Sequence, residues 1–274
     1  MLLFVLTGII LKYNKSTKWC RRQRGIPLMP HFFISSNSVN KDIITVSDKE
    51  NFHHIVRVLR AKIGETLLLV DENGTSYKTV IENINSNSIT TKVVQTEKSN
   101  HRLNLSLYLV QSVLKTDAQN FVMQKATELG VKGIIPIATD NCVIKPSVID
   151  SKAEKWQKIA NEAAKQCERT DFPVVMPRMA FRDFLEDKSF DIKIACVERE
   201  QKETLKACLK NLKYTPETKI AVIIGPEGGF SAAELKQLKE HDEIYKVSLG
   251  NLILRAETAV ICAISNIIYE LEND

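Results

Sequence analysis

Apolar positions in the first hundred residues fall in short, often alternating runs. His31–Ile34, Ile43–Val46, Thr66–Val70, Tyr77–Ile81 and Ile89–Val94 read as strands. Asp71-Glu72-Asn73-Gly74 supplies a hairpin turn between two of them. A helix over 48–58 interrupts the strands, with Ser47 and Glu50 in a capping-box pattern at its start. Five short strands and one helix suggest a small barrel. The polar stretch Gln95–Arg102 reads as a linker.

Beyond it the period changes. Strand Leu103–Val110 precedes a helix over 117–129, and strand Gly133–Pro136 precedes a long helix over 150–168. In the latter, Trp156, Ile159, Ala160, Ala163, Ala164 and Cys167 recur at helical spacing. Strand Ile192–Val197, helix 201–212, strand Ile220–Ile224, helix 231–240, strand Ile244–Leu249 and a final helix over 256–271 follow. Strands alternating with helices imply an α/β domain with a mostly parallel sheet covered on both faces.

Charge changes the picture less than its total suggests. The net charge is +5, but residues 1–28 hold six basic and no acidic residues, and the rest has 32 basic against 33 acidic. Overall charge is therefore no argument for nucleic acid, and any RNA surface must come from local clustering. Residues 1–28 join a ten-residue apolar run, Leu2–Leu11, to a basic stretch. Ten apolar residues are too few to span a bilayer, and the charge follows the run where a signal peptide has it first. Met29 begins what looks like an ordinary start, so an upstream start site or a disordered tail is favoured over a membrane anchor. Six scattered cysteines without a C-x-x-C pair argue against a disulfide framework or a metal site, and for a reducing cytoplasm.

Two glycine turns carry the candidate chemistry. Ile223-Ile224-Gly225-Pro226-Glu227-Gly228-Gly229-Phe230-Ser231 closes one strand and opens a helix, with Ser231 and Glu234 as its capping box. Leu249-Gly250-Asn251-Leu252-Ile253-Leu254-Arg255-Ala256-Glu257-Thr258-Ala259 does the same some twenty residues on. Either turn alone is an ordinary connection. Together they can build a pocket from exposed backbone for a flat polar ligand. The first lacks the lysine of a P-loop, and no G-x-G occurs anywhere, which argues against a dinucleotide site. Val260, Ile261, Ala263, Ile264, Ile267, Ile268 and Leu271 give the last helix a broad apolar face, as a core or a subunit contact requires.

Position by position, these blocks resemble the RsmE family of ribosomal RNA uridine methyltransferases, within the SPOUT group. The likeness extends over most of residues 29–274. It includes His53-His54-Ile55-Val56-Arg57-Val58-Leu59-Arg60, Gln111–Lys115, Gln124–Val131, Lys155–Ala160 and Glu162–Cys167. The resemblance implies a PUA-like barrel over 29–100 and a methyltransferase domain over 101–274 with a C-terminal trefoil knot. It implies transfer of a methyl group from S-adenosylmethionine to N3 of a uridine in 16S ribosomal RNA, within the small ribosomal subunit, by a cytoplasmic homodimer without a metal or a membrane. Alternatives are a SPOUT enzyme with another base or ribose target, or a non-catalytic RNA-binding protein.

The cofactor-binding residues it implies are Ile224, Gly225, Pro226, Glu227, Gly228, Gly229, Leu249, Gly250, Leu254 and Thr258. Arg255 is the candidate for stabilising a uracil anion, and Glu227 or Glu257 for orienting it or taking the proton. His53, Arg57 and Arg60, at i, i+4 and i+7, form one basic helix face for RNA, with Lys115, Lys125, Gln166 and Arg169 as a second patch. Leu252 and His31 stand where family members often carry arginine, which weakens the expected RNA contacts at those two places.

Overall fold

The computed structural model describes residues 31–71, 73–98, 105–167, 169, 171–197 and 203–272. The expectation for residues 1–28 lies outside that set.

The N-terminal half is a six-stranded mixed sheet in the order β1-β4-β5-β6-β3-β2. Its strands are β1 (His31–Ile34), β2 (Val39–Asn40), β3 (Ile43–Val46), β4 (Thr66–Asp71), β5 (Thr75–Ile84) and β6 (Ile89–Lys98). β1 runs parallel to β4, and the other pairs are antiparallel. In β1 and β3 every second residue is buried, as one solvated and one packed face require. Phe32, Ile44, Val46, Leu67, Leu69, Ile81 and Ile89 form that packed face, and Ile55 closes over it.

Three expectations change here. The inserted helix is capped by Asp48, whose carboxylate accepts the Asn51 amide at 2.8 Å, and not by Ser47. Only α1 (Lys49–His53) is α-helical, and His54–Val58 is a π turn in which the Leu59 amide donates to the His54 carbonyl at 2.9 Å. Gln95–Lys98, read as linker, extends β6 and pairs with residues 75–78 of β5. The polar pattern there reflects a strand end with both faces exposed. The rest of the expected linker lies outside the described residues.

The C-terminal half is a parallel sheet of seven strands, ordered β10-β8-β7-β12-β11-β13, with β9 also on the outer edge of β8. The strands are β7 (Ser106–Ser112), β8 (Gly133–Ala138), β9 (Val174–Val175), β10 (Met179–Ala180), β11 (Ile192–Cys196), β12 (Lys219–Ile224) and β13 (Ile244–Val247). β8 and β12 are buried almost end to end, as expected of strands covered on both faces.

One face packs on α2 (Thr116–Glu128), α4 (Ala153–Gln166), α6 (Leu205–Asn211) and α8 (Ala256–Leu271) through Leu107, Leu109, Ile194, Val222 and Trp156. The other packs on α5 (Phe181–Glu186) and α7 (Ala232–Glu240) through Val110, Ile135, Ala195, Ile223 and Phe184. The expected helix over 150–168 is shorter, with α4 starting after Lys152, and a separate α3 (Pro146–Asp150) that opens on Pro146 precedes it.

The two halves meet along α4. The Phe33 ring lies 4.4 Å from that of Phe172, and Glu50 pairs with Lys165 at 3.6 Å.

Candidate cofactor and RNA site

Parallel strands end together, so the loops after β7, β8, β11, β12 and β13 share one rim. At that rim lies a cleft of about 310 Å3, within the usual range for small-molecule sites. The segments 224–230 and 248–254 form its two walls, and Cys196, Val197, Ala256 and Ala259 close it. Nine of the ten residues expected at the cofactor line it: Ile224, Gly225, Pro226, Glu227, Gly228, Gly229, Leu249, Gly250 and Leu254. Thr258 does not. It faces solvent one turn into α8.

The glycines serve different ends. Gly229 and Gly250 hold φ at +70° and +131°, where a side chain is strained, yet a Cβ there would meet no atom within 4 Å. At Gly228 the constraint is space, for a Cβ would lie 3.1 Å from Asn141 Cβ. The first wall is fixed from outside. Ser231 and Glu234 form the expected capping box at the start of α7. Glu234 is only 4% exposed, and its carboxylate accepts the Ser231 and Asp140 amides at 2.8 and 2.9 Å. Asn141 Nδ2 donates to the Gly228 and Gly229 carbonyls at 3.3 and 3.0 Å.

The loop after β8 is therefore a third support of the site, and sequence reasoning missed it. The one signal was a pair of polar residues, Asp140 and Asn141, directly after an apolar strand. Gln111 stands out in the sequence only through the family resemblance. It is fully buried, and its Nε2 donates to the Ser112 and Gly225 carbonyls at 2.6 and 3.3 Å.

The cleft suits a flat heterocycle with a polar edge. Ile224, Leu249 and Leu254 offer apolar faces, while glycine backbone is exposed between them. Cys196 also lines it, and burial, with Cys262 and Cys208 nearby, pushes its thiol up. Among the described residues no group of histidine, cysteine or acidic side chains could hold a metal ion.

Arg255 is exposed at the N-cap of α8, between Leu254 and Ala256, which both line the cleft. Glu257 is half-buried in the first turn, and neither Arg255 nor Glu257 lines the cleft itself. Glu227 is exposed in the wall, and its Oε1 accepts the Lys115 amide at 2.9 Å.

The RNA residues divide. His53, Arg57 and Arg60 are all exposed, but not as one α-helical face. The π turn widens the spacing after His53, and Arg60 lies beyond it with φ at +56°. Lys115 is exposed at the N-cap of α2.

Lys125 and Arg169 are otherwise engaged. Lys125 pairs with Glu128 at 2.8 Å, one helical turn on. Arg169 is 5% exposed and donates to the Thr127 and Val131 carbonyls at 2.8 and 2.9 Å. It also pairs with Asp171 at 3.1 Å. Arg169 thus closes the C-terminal end of α2 from inside, where its charge meets the helix dipole. That removes it from the RNA patch.

Residues 101–268 match the RNA methyltransferase domain family, and residues 46–94 match the RNA methyltransferase PUA domain family. The sheet of parallel strands with a loop-built cleft is thus that of an RNA methyltransferase. A Bacillus subtilis ribosomal RNA small subunit methyltransferase E is 31% identical over 228 residues, covering 81% of this chain and 89% of its own. The crystal structure of a ribosomal RNA small subunit methyltransferase E from Neisseria gonorrhoeae, bound to S-adenosylmethionine, superposes with a TM-score of 0.74 at 26% identity. It covers 88% of this chain and 97% of its own. A Legionella pneumophila structure solved with the same cofactor gives 0.75 at 26% identity, with the same coverage. The chain belongs to the ribosomal RNA small subunit methyltransferase E family.

Proposed function

We propose that this protein transfers a methyl group from S-adenosylmethionine to N3 of one uridine in 16S ribosomal RNA. The carrying observation is the cleft between the two glycine turns, in a chain whose relatives are named for methylating small-subunit ribosomal RNA and are solved with that cofactor. The bound cofactor supplies a methyl group on a sulfonium, electrophilic enough that neither a metal nor a covalent enzyme intermediate is needed. The residues present fit it. Leu249, Leu254 and Ile224 take the ring, and the glycine backbone takes its polar edges.

The protein has two further tasks. It fixes the line from sulfur through methyl to N3, a positional effect worth roughly 7–11 kcal/mol. It also deals with the N3 proton as the new N–C bond forms and the C–S electron pair returns to sulfur. Arg255, at the cleft edge, stabilises the uracil anion. Glu257 or Glu227 orients the base or takes the proton. With one Glu227 oxygen engaged by the Lys115 amide, the second is the one that serves.

The same reading divides the chain into an RNA-facing domain over 29–100 and a catalytic domain over 101–274, with the segments after β12 and β13 forming a knot. His53, Arg57, Arg60 and Lys115 contact RNA. A homodimer forms through α8, supported by Tyr269, which is 87% exposed on that helix. The enzyme works in the cytoplasm, where its substrate is made.

The test is nucleoside mass spectrometry of small-subunit ribosomal RNA from cells with and without the gene. N3-methyluridine should be lost without it and restored by the wild-type copy. A ribose-methylated or other nucleoside lost in its place would name a different target, and no lost nucleoside would leave a binding protein.

A further inference from the structure

We propose that the outward face of α4 is the track along which the RNA backbone passes from the N-terminal sheet to the cleft. This rests on the methyltransferase reading above and adds to it the route of the strand. Lys125 and Arg169 of the second basic patch expected from sequence are spent, since Lys125 pairs with Glu128 and Arg169 is buried. The structure offers another.

α4 has 14 residues, so it is about 21 Å long at 1.5 Å per residue, long enough for several phosphates. Its packed face is Trp156, Ala160, Ala163 and Ala164. Lys155 and Lys158 project from the opposite side and are exposed. At one end of the helix, Lys165 lies 3.6 Å from Glu50 of α1, one turn before His53. Beyond the other end, Lys152 Nζ donates to Thr116 Oγ1 at 3.1 Å. Thr116 opens α2 directly after Lys115, whose amide binds Glu227 in the cleft wall. One line of contacts thus joins the α1 region to the cofactor site through α4.

The charges along that line are unbalanced. The acids near it are mostly taken, Asp150 by Arg178 at 2.9 Å and Glu162 by Lys165 at 3.1 Å. Lys145, Lys152, Lys155 and Lys158 make no ion pair with any described residue, and only Glu154 and Asp117 stand exposed against them. Unneutralised lysines in a row are point charges for a polyanion, whose binding releases counterions.

The test is filter binding of transcribed 16S ribosomal RNA across a salt series, with Lys155→Glu/Lys158→Glu and Lys155→Gln/Lys158→Gln. Affinity should fall at least tenfold in the charge-reversed variant. The slope of log affinity against log salt should flatten in both, by about 1.5 for two lost phosphate contacts. S-adenosylmethionine affinity and the melting temperature should hold. Lys206→Glu/Lys210→Glu, on α6 at the far end of the helical layer, makes the same change of net charge and should alter RNA affinity little. Unchanged affinity and slope in the α4 variants, or an equal loss in the α6 variant, overturns the track. If the wild-type protein binds neither the transcript nor purified small ribosomal subunits, the methyltransferase reading fails and not the route.

Discussion

Glu227 Oε1 accepts the backbone amide of Lys115 at 2.9 Å across 112 positions of sequence. The bond ties the glycine turn after β12 to the N-terminus of α2. Lys115 therefore reaches the cleft wall through its main chain, and its side chain stays exposed. A residue expected to do chemistry thus also holds two elements of the site in register.

Gly228→Val should abolish S-adenosylmethionine binding, read by calorimetry, while the N-terminal sheet stays folded by circular dichroism. The added Cβ meets Asn141 Cβ at 3.1 Å, and moving Asn141 breaks its bonds to the Gly228 and Gly229 carbonyls. Gly250→Ala should weaken binding without that clash, because φ of +131° strains a side chain there by about 1–3 kcal/mol.

Arg255→Ala should lower methyl transfer a hundredfold or more, about 2.7 kcal/mol, with cofactor affinity within several-fold of wild type. The residue flanks the cleft without lining it, which separates the two effects. Undiminished transfer, measured with radiolabelled cofactor, would take Arg255 off the catalytic list.

Arg169→Ala should act on stability. It leaves the Thr127 and Val131 carbonyls and the Asp171 carboxylate without their buried partner. A loss of about 3–5 kcal/mol is expected in urea unfolding. RNA affinity of the folded fraction should be unchanged. Arg57→Ala, fully on the surface, should do the reverse, weakening RNA binding and its salt dependence at constant stability.

Tyr269→Glu should shift a dimer to monomer in sedimentation at micromolar concentration, since Tyr269 is the most exposed of the large apolar side chains on α8. Dimerisation unaffected by this change would place the subunit contact elsewhere.

Elements with a clear apolar period were legible in the sequence, down to the four-residue strands His31–Ile34 and Ile43–Val46, and short ones without a period were not. The final helix reads 256–271 from its apolar spacing, and the structure has the same bounds. β9, β10, α3 and α5 were missed, being two, two, five and six residues long. Segments so short have little propensity of their own and are held by neighbours, as β9 and β10 are by the edge of β8. The two glycine walls were legible because each is continuous in sequence. The support from Asn141 was not, because its partners lie 87 and 88 positions away. Arg169 misled for a related reason. A charged residue in a polar stretch reads as solvated, and only the fold shows the two carbonyls it serves.

Glu234 has a kinetic consequence. Its carboxylate staples the start of α7 to the loop after β8 from a position almost sealed from water. That side of the cleft cannot swing open without stranding a buried acceptor and two amide donors. The opposite wall bears Leu252 and Ile253 in solvent and carries no such staple among the described residues. Ligand entry and product departure then belong to residues 249–254. In hydrogen exchange those amides should trade protons quickly, while those of Asp140, Ser231 and Glu234 remain protected until the sheet itself unfolds.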